Sequence, residues 1–164
     1  MIDREESYKK TTIVFPIVES EILLGMKKRG FGEGWWNGFG GKLEEGETYD
    51  DCAKRECLEE AGIEVGQLTH IANLHFFFDN ILKVVSKAYI SNGLKGVPTE
   101  SDEMKPELFN IENMPYHNMW PADRIWVPKS LRNDDKPLGF IVNFKDRIVE
   151  SIQEIDYQDL EEKF

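Results

Sequence analysis

Seven residues between Gly41 and Gly62 have the types and spacing for metal-assisted chemistry on phosphate. They read Gly41, five residues, Glu47, seven residues, Arg55-Glu56, then Glu59-Glu60, followed by Gly62-Ile63. At 100° per helical residue, Glu56, Glu59 and Glu60 share an arc of about 100° on one face. Like charges at that spacing repel one another and destabilise a bare helix. A divalent cation removes the conflict, because Mg²⁺ takes oxygen ligands and binds through a few carboxylates plus substrate phosphates. For any single glutamate a solvated acidic face is the simpler account in so acidic a chain. For the array it fails, since all seven types match by chance with a probability on the order of 10⁻⁵ in this composition. The stretch just upstream, Gly30–Gly41, is rich in glycine, as a backbone that must turn sharply or approach something closely would be.

Strands and helices can be read on both sides of this array. TTIVFPIV (Thr11–Val18) and EILLGMKK (Glu21–Lys28) read as neighbouring strands, with Pro16 placing the first near a sheet edge or a bulge. TYDDCAKRECLEEA reads as a helix to Ala61, with Thr48 as N-cap, Asp50 and Asp51 in the first turn, and Gly62 as the stop. Leu68–Phe78 and Ile81–Ile90 read as strands around a turn at Asp79-Asn80. Glu107–Ile111 is a short strand, Arg124–Leu131 a second helix despite Pro128, and Gly139–Phe144 with Ile148–Ile155 a closing pair of strands. One long early helix, a shorter late one and many strands imply a mixed α/β sandwich, with helices covering a sheet.

Length and composition bound the function. The 164 residues are about one domain's worth of chain, expected to form one unit over residues 1–164. A net charge of −11 argues against a coat for nucleic acid or an anionic membrane, both of which need clustered Lys and Arg. No apolar run is long enough to span a bilayer, and the charged start MIDREESYKK has no secretory core. Cys52 and Cys57 are too few for a disulfide scaffold, so a reducing, cytoplasmic compartment is expected, with both cysteines as packing residues. His70, His75 and His117 lack metal-ligand spacing and read as structural.

At Gly41–Ile63 the chain resembles the Nudix hydrolases, whose signature is G-x5-E-x7-R-E-U-x-E-E-x-G-U with U aliphatic. Cys57 is the one departure, and cysteine behaves as a small buried hydrophobe. The resemblance implies a Nudix fold, a mixed β-sheet sandwiched between α-helices, whose loop and helix form a metal and diphosphate site. It also implies that Arg55 orients a signature carboxylate, Glu47, and does not touch phosphate.

A second likeness narrows the substrate. LLGMKKRGFG (Leu23–Gly32), WNGFGGK (Trp36–Lys42), EGET (Glu45–Thr48), ESDEM (Glu100–Met104) and MWP (Met119–Pro121) resemble the MutT-homologue, oxidised-purine triphosphatase branch of that family. That branch implies Mg²⁺-dependent conversion of nucleotides such as 8-oxo-dGTP to the monophosphate and pyrophosphate, with Mn²⁺ as the other candidate ion. Position by position it implies Glu56, Glu59, Glu60, Glu103 and the Gly40 carbonyl as metal ligands, with Glu60 or Glu103 as general base. Thr12, Lys27, Asn37, Phe39, Gly40, Gly41, Lys42 and Trp120–Asp123 align with substrate contacts, and Phe31 and Phe76 with pocket walls.

The residue chemistry is compatible with those roles. Lys27 offers charge to phosphate, Asn37 carries donors and an acceptor in one amide, Trp120 gives a flat stacking face, and Asp123 can accept or donate. One departure stands out: the branch has two adjacent aspartates after Trp-Pro, and here the pair is Ala122-Asp123. The expected partner is a small nucleotide bound by a monomer, with no nucleic-acid polymer and no membrane. Two other readings remain: a Nudix hydrolase of unmodified or methylated purine triphosphates or dinucleoside polyphosphates, and a non-catalytic nucleotide-binding module. The complete set Glu56, Glu59, Glu60 and Glu103 speaks against the second.

Overall fold

Adjacent side chains on a strand point to opposite faces, and in β1 (Lys9–Val18) both faces are buried. The computed structural model describes residues 7–146 and 148–164. Val14 joins a core with Leu23, Phe39, Ala53 and Cys57, whereas the next residue, Phe15, joins one with Ile22, Leu24, Trp126 and Val127. Helix α1 (Tyr49–Ala61) therefore covers one face and α2 (Asp123–Arg132) the other. This is the mixed sheet between helices that the sequence implies.

The remaining strands are β2 (Glu21–Lys27), β3 (Trp36–Asn37), β4 (Glu64–Val65), β5 (Leu68–Phe78), β6 (Ile81–Asn92), β7 (Leu94–Lys95), β8 (Met104–Asn110), β9 (Leu138–Lys145) and β10 (Ile148–Ile155). The main sheet runs β10-β9-β5-β6-β1-β2-β3, with β8 also paired to β2, and β4 pairs with β7 separately. β1 lies parallel to β6 and β5 parallel to β9, while the other pairs are antiparallel. The β5–β6 turn at Asp79-Asn80 holds both residues at positive φ, as a tight hairpin requires.

The path of β1 explains Pro16 and corrects the edge or bulge expected for it. β1 is interior, but it pairs with β2 only at Ile17 and Val18. Beyond that fork it bridges Val14 to Phe39 and Thr11 to Lys42. Thr12 and Val14 donate their N–H groups to Gly41 and Phe39 on that side, and Pro16 has the same parity. Its missing N–H thus falls where β1 changes partners. β8 and α2 also start earlier than the sequence suggests, at Met104 and Asp123. For β8 the apolar signal is weak, because most of its own side chains are exposed or half-buried.

The acidic C-terminal segment, for which the sequence suggests no role, forms a 3₁₀ helix (Tyr157–Lys163) strapped to the α1 face of β5. Asn73 on β5 is buried and donates to Tyr157 O at 3.0 Å and Glu161 Oε1 at 2.8 Å. The His75 ring lies 3.1 Å from Leu160 O, and Lys87 pairs with Glu161 at 3.3 Å. Replacing Asn73 by Ala leaves both acceptors without that donor and should cost about 1–3 kcal/mol. Urea unfolding measures the loss, and amide exchange in residues 157–163 should speed up while turnover stays unchanged. Lost stability without faster exchange there would place the effect of Asn73 within β5 alone.

Candidate active site

Glycines at the fork let the chain run where no side chain could fit. A methyl group on Gly40 would overlap the Thr12 carbonyl, and one on Gly41 would meet the Glu56 carboxylate. The segment therefore lies flat between β1 and α1, and the Gly40 N–H donates to Glu60 Oε1 at 2.8 Å. α1 is held at both ends as its sequence dictates. Thr48 Oγ1 accepts the Asp51 N–H at 3.1 Å, and Gly62 closes the helix in the left-handed region at φ 67°.

Arg55 pairs with Glu47, the carboxylate expected for it. Its Nε and Nη2 donate to the two carboxylate oxygens of Glu47 at 2.7 and 2.9 Å, a bidentate pair. Nη1 reaches Glu56 Oε1 at 2.9 Å and Glu59 Oε2 at 3.2 Å. The Arg55 contact holds Glu47 down to a pKa of about 2, against the opposing pull of burial. Glu56 and Glu60 behave in the opposite way. Burial raises Glu56 above the usual carboxylate range despite Arg55, with Glu59 and Glu103 adding to the effect. Burial, reinforced by Glu56 and Glu103, carries Glu60 up to about 8, although the Gly40 N–H and Lys27 pull it down.

Acids held out of water and close together suit a hard divalent cation, which can do for them what a proton otherwise does. The donor set thus fits the ion implied by the sequence. Among the described residues no three acidic, His or Cys side chains converge as they stand. Arg55 instead bridges Glu56 and Glu59, and the exposed Glu103 lies 3.6 Å from Arg29.

Beside the acids, on the α2 face, lies a cavity of about 240 Å³. Lys27, Phe31, Asn37, Gly40, Glu60, Phe76, Trp120, Ala122 and Asp123 all line it. Trp120 forms a wall with Phe31 at 4.7 Å and Trp35 at 4.5 Å between ring centroids. Gly32 sits against the indole at φ 91°, where an added methyl would come within 3.2 Å of it. Asp123 is buried, with Oδ1 accepting from Trp126 Nε1 at 2.8 Å and Oδ2 unpartnered. Burial raises its pKa to about 7, and the Trp126 contact opposes that rise.

Four expected contacts lie elsewhere. Thr12 is buried beneath α1 with its hydroxyl 3.4 Å from Cys52 Sγ, and its neighbours Thr11 and Ile13 face the cavity instead. Phe39 is fully buried in the α1-side core. Gly41 faces Glu56, and Lys42 is an exposed residue whose carbonyl accepts from Arg55 at 3.2 Å. Strand parity separates Thr11 from Thr12 and Phe39 from its neighbours, and parity is invisible until the register of β1 is known. Phe78, Val84, Ser86 and Phe144 also line the cavity without having been expected. Phe78 is legible two residues from Phe76 on one strand, but the other three come from strands brought together by the fold. His70 and His75 are structural, each contacting a backbone carbonyl, and Cys52 and Cys57 are buried and unbridged.

Residues 7–130, most of the chain, match the NUDIX domain. The chain belongs to the Nudix family. It is a Nudix hydrolase, of a family that generally works with a divalent metal. Over 147 residues it is 40% identical to the oxidized purine nucleoside triphosphate hydrolase of Mus musculus, covering 88% of this chain and 94% of that one. The protein of the same name from Danio rerio is 43% identical over 125 residues, covering 76% and 80%. Among solved structures, the MutT protein of Bacillus halodurans superposes with a TM-score of 0.79 at 25% identity, covering 89% of this chain and 97% of that one. No helix among the described residues is long and apolar enough to cross a membrane.

The buried Asp123 sets a pH dependence. Its folded pKa near 7 lies above the unfolded value near 3.9, so between those values the folded chain holds the extra proton. Its contribution to stability is therefore greatest below about pH 4 and is lost as the pH rises through 7. Asp123→Asn keeps the acceptor for Trp126 but cannot ionise. Its stability relative to the parent, from urea unfolding, should improve by roughly 1–3 kcal/mol between pH 5 and pH 8. A constant difference would mean that Asp123 does not titrate as a buried acid.

Proposed function

We propose that this Nudix hydrolase cleaves oxidised purine (deoxy)nucleoside triphosphates of the 8-oxo-dGTP type to the monophosphate and pyrophosphate, which removes damaged bases from the nucleotide pool. One observation carries the reading: Glu60 belongs both to the acid cluster of α1 and to the lining of the aromatic cavity. A purine in that cavity would direct its phosphates along Glu60 and Lys27 toward the remaining carboxylates. The names of the mouse and fish relatives support the same substrate class.

The chain's own groups divide the work. Trp120 supplies a stacking face, while Asn37 and the free Oδ2 of Asp123 supply polar contacts to the base. Lys27 supplies positive charge at the mouth of the cavity. Glu56, Glu59, Glu60, Glu103 and the Gly40 carbonyl are the groups that would hold Mg²⁺ or Mn²⁺, and a bound ion offsets phosphate charge and lowers the pKa of water. Glu60 or Glu103 would take the proton of the attacking water. The enzyme is read as a cytoplasmic monomer formed of one domain. Ala122, buried at the start of α2, gives the cavity wall no second carboxylate, which favours a narrower choice of purine than in two-aspartate relatives.

A pyrophosphate-release assay over 8-oxo-dGTP, 2-oxo-dATP, dGTP and a dinucleoside polyphosphate, with and without Mg²⁺, tests the reading. 8-oxo-dGTP should give the highest kcat/KM and turnover should vanish without the ion. Trp120→Ala should raise KM by roughly 5–150-fold, the equivalent of ~1–3 kcal/mol of stacking, and leave kcat less affected. Preference for the dinucleoside polyphosphate, or no hydrolysis of any nucleotide, would overturn the assignment.

A further inference from the structure

Among the described residues, four buried side-chain oxygens have no hydrogen-bond partner: Tyr49 Oη, Ser86 Oγ, Asp123 Oδ2 and Ser130 Oγ. Only Ser86 and Asp123 line the aromatic cavity. Asp123 is one of the base-contacting residues expected from the sequence, whereas Ser86 has no assigned role.

Ser86 sits in the middle of β6, paired across the sheet with Leu74 on one side and Thr11 on the other. Its row on the cavity face is otherwise apolar, running Val84, Ser86, Ala88 and Ile90. The side chain is fully buried. A hydroxyl in such a row is disfavoured, because burying it without a partner forfeits its hydration and returns nothing. Thr11, its neighbour across the parallel pair, meets that requirement within the sheet by donating to Val85 O at 3.2 Å. Ser86 has no such contact and opens onto the space where a ligand would lie.

We infer that Ser86 is a specificity-determining residue whose hydroxyl hydrogen-bonds a polar atom of the bound purine, reading the base from the sheet side while Asp123 reads it from the start of α2. The inference rests on the proposed purine substrate and adds a contact to it. A serine hydroxyl both donates and accepts, so it can meet a ring nitrogen, an exocyclic amine or a carbonyl. With Ala122 contributing no polar group, Ser86 and Asp123 carry the unpartnered buried side-chain oxygens of the cavity among the described residues, beside the Asn37 amide. The cavity should accordingly discriminate bases by which polar atoms they carry, as well as by the flatness that Trp120 senses.

The test combines substitution with atom deletion in the ligand. Affinities of the parent, Ser86→Ala and Ser130→Ala are measured by calorimetry for 8-oxo-dGMP and dGMP, and for analogues of dGMP lacking the 2-amino group, the 6-oxygen or N7. Ser86→Ala should weaken binding of 8-oxo-dGMP by roughly 3–10-fold, the size of one net hydrogen bond. That loss should disappear for one analogue alone, the one missing the atom that Ser86 contacts. Ser130→Ala, which removes an equally buried hydroxyl outside the cavity, should leave all affinities unchanged. Should Ser86→Ala prove unstable, Ser86→Cys keeps the volume with a weaker donor and should show the same pattern. Equal losses for every ligand, or none, would overturn the inference and make Ser86 a packing residue. Failure of the parent to bind or hydrolyse any purine nucleotide would instead overturn the substrate assignment and this inference with it.

Discussion

β1 and β2 part after two residue pairs, and the space between them is filled by backbone because Gly38, Gly40 and Gly41 carry no side chain. The rest of the site depends on that packing. It brings the Gly40 N–H to Glu60 on α1, so loop, helix and central strand meet at one buried carboxylate. It also leaves the α2 face of the sheet open beyond the fork, where Trp120 and the phenylalanines of β5 and β9 enclose a cavity. A methyl group on Gly40 would collide with β1 itself, so neither feature would survive without that glycine.

Charge is distributed unevenly around the junction, and burial decides how. Glu47 and Glu60 are the same residue type, one just before α1 and the other in its last turn. The first is satisfied by a bidentate arginine and held near pKa 2, while the second is desolvated beside other acids and raised to about 8. Arg55 thus pairs with Glu47, Glu56 and Glu59 and leaves Glu60, whose one hydrogen bond comes from the Gly40 N–H, without a cationic partner at hydrogen-bond distance. The same contrast appears on the other wall, where Asp123 is a lone buried acid with one satisfied and one free oxygen.

Much of this was legible in the sequence, for reasons that differ by residue. α1 announced itself through Thr48, its acidic first turn and Gly62, and the glutamate spacing marked its acidic face because helical periodicity is local. Lys27, Phe31, Asn37 and Trp120 were found through family likeness and do line one cavity. Thr12 and Phe39 are buried and do not line that cavity, since a shift of one residue in a strand reverses the face and the register depends on distant partners. Ser86 gave no signal, because its meaning comes from a cavity assembled from strands far apart in sequence. Likewise Asn73 acquired its role only when residues 157–163 folded back over β5.

The acid cluster and the aromatic cavity meet at Glu60, which makes them one site in the reading proposed above. Paramagnetic broadening by substoichiometric Mn²⁺, recorded on the isotopically labelled protein with 8-oxo-dGMP bound, tests it directly. Broadening should be strongest at the amides of Gly40, Gly41 and Glu56–Glu60, with broadening of the ligand's phosphate resonance in the same titration. Mn²⁺ that instead broadened the acidic 157–163 segment, or left the bound phosphate sharp, would contradict it.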